Sequence, residues 1–100
     1  MHAQPRPHYA DTEDGGYVED PGHVELLKML EDLNGTDNTF FVIYPDDETL
    51  DWSISVHTRT RGLVGYEIER RDAATGQHET TSEADHVTIV TEVLTWIRQR

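Results

Sequence analysis

The side chains best equipped for chemistry in this chain are its carboxylates, six histidines and one short Ser-x-Ser-x-His run. Ser53, Ser55 and His57 alternate along one segment, so on a strand they share a face. A nucleophilic serine needs a base to take its proton and a sharp turn to present it, and no Gly-x-Ser-x-Gly elbow occurs here. Alternation alone explains their polarity as the solvent side of a strand. The histidines (His2, His8, His23, His57, His78 and His86) include no pair at the i, i+4 spacing that sets two imidazoles on one helix face for zinc, and the chain has no cysteine. No glycine-rich loop opens a helix in the way that cradles phosphates. With 20 Asp and Glu some carboxylates must lie close together by chance, so none stands out as an acid and base pair. The expectation is a protein without catalytic residues, metal or cofactor.

Charge is the feature that exceeds background. Twenty acidic against eight basic side chains leave a net charge of −12, which repels nucleic acid and anionic membrane and attracts a basic partner. The density peaks at Asp46-Asp47-Glu48 with Asp51, and again at Asp11, Glu13 and Asp14 with Glu19 and Asp20. Such clusters serve either solubility or recognition, where they speed encounter and reject wrong partners. Tyr44 and Trp52 flank the first cluster. Trp52 falls in an apolar stripe and suits a core position, so the expected partner-binding residues are Tyr44, Asp46, Asp47, Glu48 and Asp51.

Positioning these residues takes one ordinary domain, the size that 100 residues allow. The longest apolar run, Phe40 to Tyr44, is far short of the roughly 20 residues needed to cross a bilayer, and the N-terminal segment lacks a signal-like apolar stretch. A cytoplasmic location is expected. Residues 1–16 read as a disordered acidic tail and 17–100 as the domain. Asp20-Pro21 marks a helix start, with Val24, Leu26, Leu27, Leu30 and Leu33 as its apolar stripe and Asn34-Gly35 as its end. Thr39–Tyr44 is β-branched and aromatic, the pattern of a central strand. From Leu50 the alternation of Leu50, Trp52, Ile54 and Val56 predicts a half-buried strand, and Thr60-Arg61-Gly62 turns it into a third through Val64, Tyr66 and Ile68. Gln77–Thr81 suits a short edge strand. Ser82 with Asp85 resembles a capping box ahead of a second helix burying Val87, Val90, Val93, Leu94 and Ile97. The fold class is α+β, an antiparallel three- to four-stranded sheet with an N-terminal and a C-terminal helix packed on one face.

This layout resembles the Imm1 group of bacterial immunity proteins from polymorphic toxin systems. The likeness spans about 18–98: Val18-Glu19-Asp20-Pro21 into a first helix, Leu33-Asn34-Gly35 closing it, the Thr39-Phe40-Phe41-Val42-Ile43 strand, Leu50 to Val56, Gly65-Tyr66-Glu67-Ile68-Glu69, and a final Val87 to Ile97 helix. The resemblance implies a cytoplasmic protein that binds and neutralises a cognate toxin, often a nucleic-acid deaminase or nuclease. An acidic surface would block the basic cleft such a toxin offers to its substrate. Two other roles suit the same residues, an acidic DNA mimic or regulatory protein-binding module and an accessory subunit of a larger assembly. Whichever holds, like-charge repulsion opposes the compact state, so the melting temperature should rise as salt is raised from low to molar concentration; an insensitive melt contradicts this.

Overall fold

Alternation in the segment after Leu50 sets the geometry of the whole sheet. In a computed structural model, which describes residues 7–59 and 64–100, that segment is β4 (Trp52–Thr58), with Trp52, Ile54 and Val56 buried. Around it the chain runs β1 (His8–Thr12), β2 (Tyr17–Glu19), α1 (His23–Asp32), β3 (Phe40–Pro45), β4, β5 (Tyr66–Asp72), β6 (Gln77–Glu83) and α2 (His86–Arg98). All pairings are antiparallel, in the order β2-β1-β3-β4-β5-β6. Among the described residues the fold is α+β with six strands rather than three or four. The expected Thr60-Arg61-Gly62 turn lies outside the described residues.

The strands not expected are the first two, β1 from the segment read as a tail and β2 from the very start of the segment read as the domain. His8–Thr12 and Tyr17–Glu19 form a hairpin whose turn contains Asp14-Gly15, with Gly15 at φ 92. Thr12 holds it closed, its N–H donating to the Gly16 carbonyl at 3.0 Å and its hydroxyl accepting from Gly16 N–H at 2.7 Å. The segment has too few apolar residues to make a strand by itself. It is ordered because β1 is inserted between β2 and β3, which buries His8 and Ala10 and satisfies its peptide groups on both sides. A disordered tail is therefore incorrect for residues 7–16, and residues 1–6 lie outside the described part.

The hairpin also moves the start of α1. Asp20 adopts φ 45 and closes β2 onto β1, its N–H donating to the His8 carbonyl at 2.7 Å and its carboxylate accepting from His8 N–H at 2.9 Å. Asp20 is thus engaged away from the helix, and Gly22 is the N-cap, its N–H bonded to the Glu25 carboxylate at 2.8 Å. The helix buries Leu26, Met29 and Leu30, with Leu27 and Leu33 at the margin, while Val24 is 74% exposed. Nor does Gly35 end it through a left-handed turn. Leu33 is already extended, and the Asn34 side chain accepts from the N–H groups of Thr36, Asp37 and Asn38.

Asp85, not Ser82, caps α2; its carboxylate accepts from Thr88 N–H at 2.8 Å, and Ser82 belongs to β6. The helix buries Ile89, Val90, Val93, Leu94, Trp96 and Ile97 and leaves Val87 exposed. Both helices pack with one face of the sheet, formed by Ala10, Phe41, Ile43, Trp52, Ile54, Val56 and Ile68. β3 is central, as expected, but is covered on that face alone. Toward the C-terminal end of α2 the core gives way to partly buried ion pairs. Arg70 binds Thr81 at 2.8 Å and Glu92 at 3.2 Å, while Arg100 meets Asp72 at 2.9 Å with its guanidinium 3.3 Å from the Trp96 ring centre. Among the described residues no helix is long and apolar enough to cross a membrane.

Deleting residues 1–12 removes β1 and strips β3 of its outer partner. The melting temperature followed by circular dichroism should fall by more than about 10 °C, or the cooperative transition should vanish; an unchanged melt is what a mobile tail would give.

Candidate functional site

Strand parity sends every second side chain to the face the helices leave uncovered. On β2, β1 and β3 these are Tyr17, Glu19, Tyr9, Asp11, Phe40, Val42 and Tyr44, and cross-strand register stacks them into rows. Tyr9 stands opposite Tyr44 on one side and Glu19 on the other, and Asp11 stands between Tyr17 and Val42. The rings of Tyr17, Tyr9 and Tyr44 follow one another with centroids 5.6 Å apart at each step and planes tilted by 32° and 34°. Tyr17 and Tyr44 are 56% and 36% exposed, large aromatic surface held rigidly at the solvent boundary.

The acidic turn after β3 borders this row. Asp46 N–H donates to the Pro7 carbonyl at 3.1 Å, fixing the turn beside the start of β1. The field of Asp46 and Glu48 reaches Tyr9: burial raises its pKa first, followed by the Asp11 charge, Tyr44, Asp46 and Glu48. Tyr17 is likewise raised, by burial, then by Glu19 through charge and a 3.3 Å hydrogen bond, then by Asp46. Carboxylates on several strands and one turn therefore converge on the tyrosine row.

The five residues singled out in the sequence do not all share this place. Tyr44, Asp46 and Glu48 come together. Asp47 staples its own turn, accepting from Thr49 N–H at 2.9 Å and Thr49 hydroxyl at 2.6 Å. Asp51 opens the next strand, where its carbonyl takes the Ala73 N–H and it lines shallow hollows with Asp72 and Ala73. Trp52 is core, packed edge-on against Trp96 with centroids 5.6 Å apart. Sequence reading missed Tyr9 and Tyr17, and placed Asp11 and Glu19 in a second acidic cluster without joining it to Tyr44. The available signal was Asp14-Gly15, a hairpin turn pair between two short runs that each hold a tyrosine.

The same face continues onto β4, β5 and β6 as a polar field. Ser55 Oγ and His57 Nε2 lie 2.8 Å apart, and the His57 ring rests 5.5 Å from Phe40. Across the ladder Ser55 faces Glu69, which binds His78 at 2.9 Å. Glu69 has its pKa lowered, chiefly by that hydrogen bond and against the effect of burial, with Arg71, His78 and His57 adding to it. Backbone amides around Ser55 lie in the plane of the sheet, so they are not aimed at its hydroxyl as an oxyanion hole requires. Among the described residues no three His, Asp or Glu side chains are grouped to hold a metal ion. What this face offers is shape, aromatic surface and negative potential.

Because Tyr9 and Tyr17 hold their protons more tightly folded than unfolded, they contribute stability below the unfolded tyrosine range, about pH 10, that is lost as pH climbs through their folded values. Titrations followed by NMR of the ring carbons should place both midpoints above an ordinary tyrosine, and the pair Asp46→Asn with Glu48→Gln should lower that of Tyr9 and soften the alkaline loss of melting temperature. A Tyr9 midpoint unmoved by the pair would separate the turn from the row. Comparison with family models, with curated proteins and with solved structures gives no match, so the assignment of this surface stands on its geometry.

Proposed function

We propose that this chain is a cytoplasmic binding protein, without catalytic activity of its own, that docks a basic protein through the uncovered tyrosine row and the acidic turn beside it. One observation carries the reading: three stacked tyrosines, two of them well exposed, ringed by Asp11, Glu19, Asp46 and Glu48. Rigid aromatics lose little conformational freedom on contact and dominate binding hot spots, while a surrounding charge of one sign steers the partner and sets its orientation. In the role that the family resemblance implies, the partner is a toxin domain whose basic nucleic-acid cleft is filled by this surface, and binding neutralises it. Tyr44 is then the anchor, Asp46 and Glu48 supply the field at the rim, Asp47 shapes the turn, and Asp51 extends the acidic border toward β5.

Co-purification with mass spectrometry names the partner, and the variants test the surface. Reversing Asp46 and Glu48 to lysine, which leaves the Asp47–Thr49 hydrogen bonds of the turn in place, should slow association about tenfold at low salt and flatten its salt dependence. Tyr44→Ala should instead speed dissociation. Unchanged on-rates in the charge-reversed protein would take the turn out of the interface, and a captured partner without a basic surface would sink the proposal.

A further inference from the structure

The two edges of the sheet differ. β2 ends one side with three residues, whereas β6 ends the other with seven, each in register with β5. Which peptide groups of β6 face outward follows from the ladders. Ala73 N–H donates to the Asp51 carbonyl, a pair in step with Trp52 opposite Asp72, so the odd-numbered residues of β5 bond to β4. Thr58 N–H bonded to the Thr39 carbonyl gives the same parity from the far side, since it turns the even-numbered groups of β4 to β3. Bonding direction alternates along an antiparallel strand. Tyr66, Ile68, Arg70 and Asp72 therefore bond to their partners Glu83, Thr81, Glu79 and Gln77. The N–H and C=O groups of His78, Thr80 and Ser82 are left pointing away from the sheet, and among the described residues no backbone group of another element reaches them.

Proteins blunt such edges with lysine, proline, a bulge, an inward-pointing charge or sheer shortness, and of these β6 carries only the inward-side glutamates Glu79 and Glu83, which oppose an acidic or apolar strand and not a basic one. Gln-His-Glu-Thr-Thr-Ser-Glu has no lysine or proline, and its register with β5 runs without a bulge. Its charge is one-sided as well. Glu79 and Glu83 stand on the helix side, where Arg70 is shared between Glu79 at 3.8 Å and Glu92 at 3.2 Å, one cation for two carboxylates. On the open side Thr80 and Ser82 stand opposite Glu69 and Glu67.

We infer that β6 is a docking edge that takes a seventh, antiparallel strand from a partner protein, an extended segment with lysine or arginine at the two positions, four apart, that fall opposite Glu79 and Glu83. The occupant is basic because the edge is acidic on the side where those residues land; a second copy of this chain would bring the same two glutamates and a net charge of −12. The edge lies three strands from Tyr44, roughly 14 Å across the sheet, so its test is separate from that of the tyrosine row.

The geometry predicts an alternating pattern of amide exchange in the free protein: fast at His78, Thr80 and Ser82, slow at Glu79 and Thr81. The probe is the capped peptide Lys-Thr-Val-Thr-Lys-Thr-Thr, whose lysines fall opposite Glu83 and Glu79. It should protect those three amides and bind at least about tenfold more tightly than its glutamate counterpart. Thr80→Pro removes only an outward N–H, so it should keep the melting temperature while abolishing peptide binding. The inference is overturned by any of four results: the three amides already protected in the dilute monomer; protection that grows with protein concentration as the mass doubles, which makes a second copy the occupant; equal binding or none for the two peptides; or binding that survives Thr80→Pro in a folded protein. Should that variant fail to fold, exchange and peptide titration on the unmodified chain still decide.

Discussion

Six strands and two helices leave one side of this sheet bare, and that imbalance governs the rest of the molecule. The buried residues of α1 and α2 meet Phe41, Ile43, Ile54, Val56 and Ile68 on a single side. Parity then dictates that the neighbours of these residues face out, and the sequence fills those places with two kinds of side chain. Over β2, β1 and β3 they are aromatic and acidic apart from Val42; over β4, β5 and β6 they are Ser, His, Thr, Glu and Arg. A polar lining suffices for a wet face. The aromatic end exceeds what solvation asks for, and that excess makes it the place to look for a partner.

Charged groups take over where apolar packing runs out. β5 carries Arg70 and Asp72 at positions whose parity points them at the helices, and both are buried. Each is answered from α2 or just beyond it, Arg70 by Glu92 and Asp72 by Arg100. Removing Arg100 leaves the buried Asp72 without its ion-pair partner, which costs more than the pair itself contributes. This end of the core is therefore defined by matching rather than by volume, and the Arg100 guanidinium on the Trp96 ring joins the two regimes.

The legible parts of the fold were those where a side-chain period spans a whole element. Trp52, Ile54 and Val56 declared β4, and Val90, Val93, Leu94 and Ile97 declared α2, because burial on one face leaves a repeating trace. Boundaries were harder, since Asp20 and Ser82 carry cap chemistry that tertiary contacts redirected, Asp20 to His8 and Ser82 into a strand. Least legible was β1. Its order is borrowed from strands on both sides, and Tyr9 and Ala10 alone give no period to read. The site suffered accordingly: the acidic turn and Tyr44 were visible, but the two tyrosines that complete the row sit on a hairpin whose one local mark is the Asp14-Gly15 turn pair.

That hairpin has a further consequence for how the chain reaches its native state. β3 through β6 form a meander in which each strand meets its successor after a short connection, so this half can assemble through local loop closures. β1 must instead find β3 across α1, pairing residues such as Ala10 and Ile43 that are 33 positions apart by subtraction of their numbers. Joining the β1–β2 arm to β3 is thus the longest-range closure in the sheet, and the arm is held to the other strands through β3 alone. While it is away, the outer edge of Phe40-Phe41-Val42-Ile43-Tyr44 stands bare, an apolar β-prone run without a charge in it. Docking of the arm completes the tyrosine row and, in the same movement, covers the edge of that apolar run.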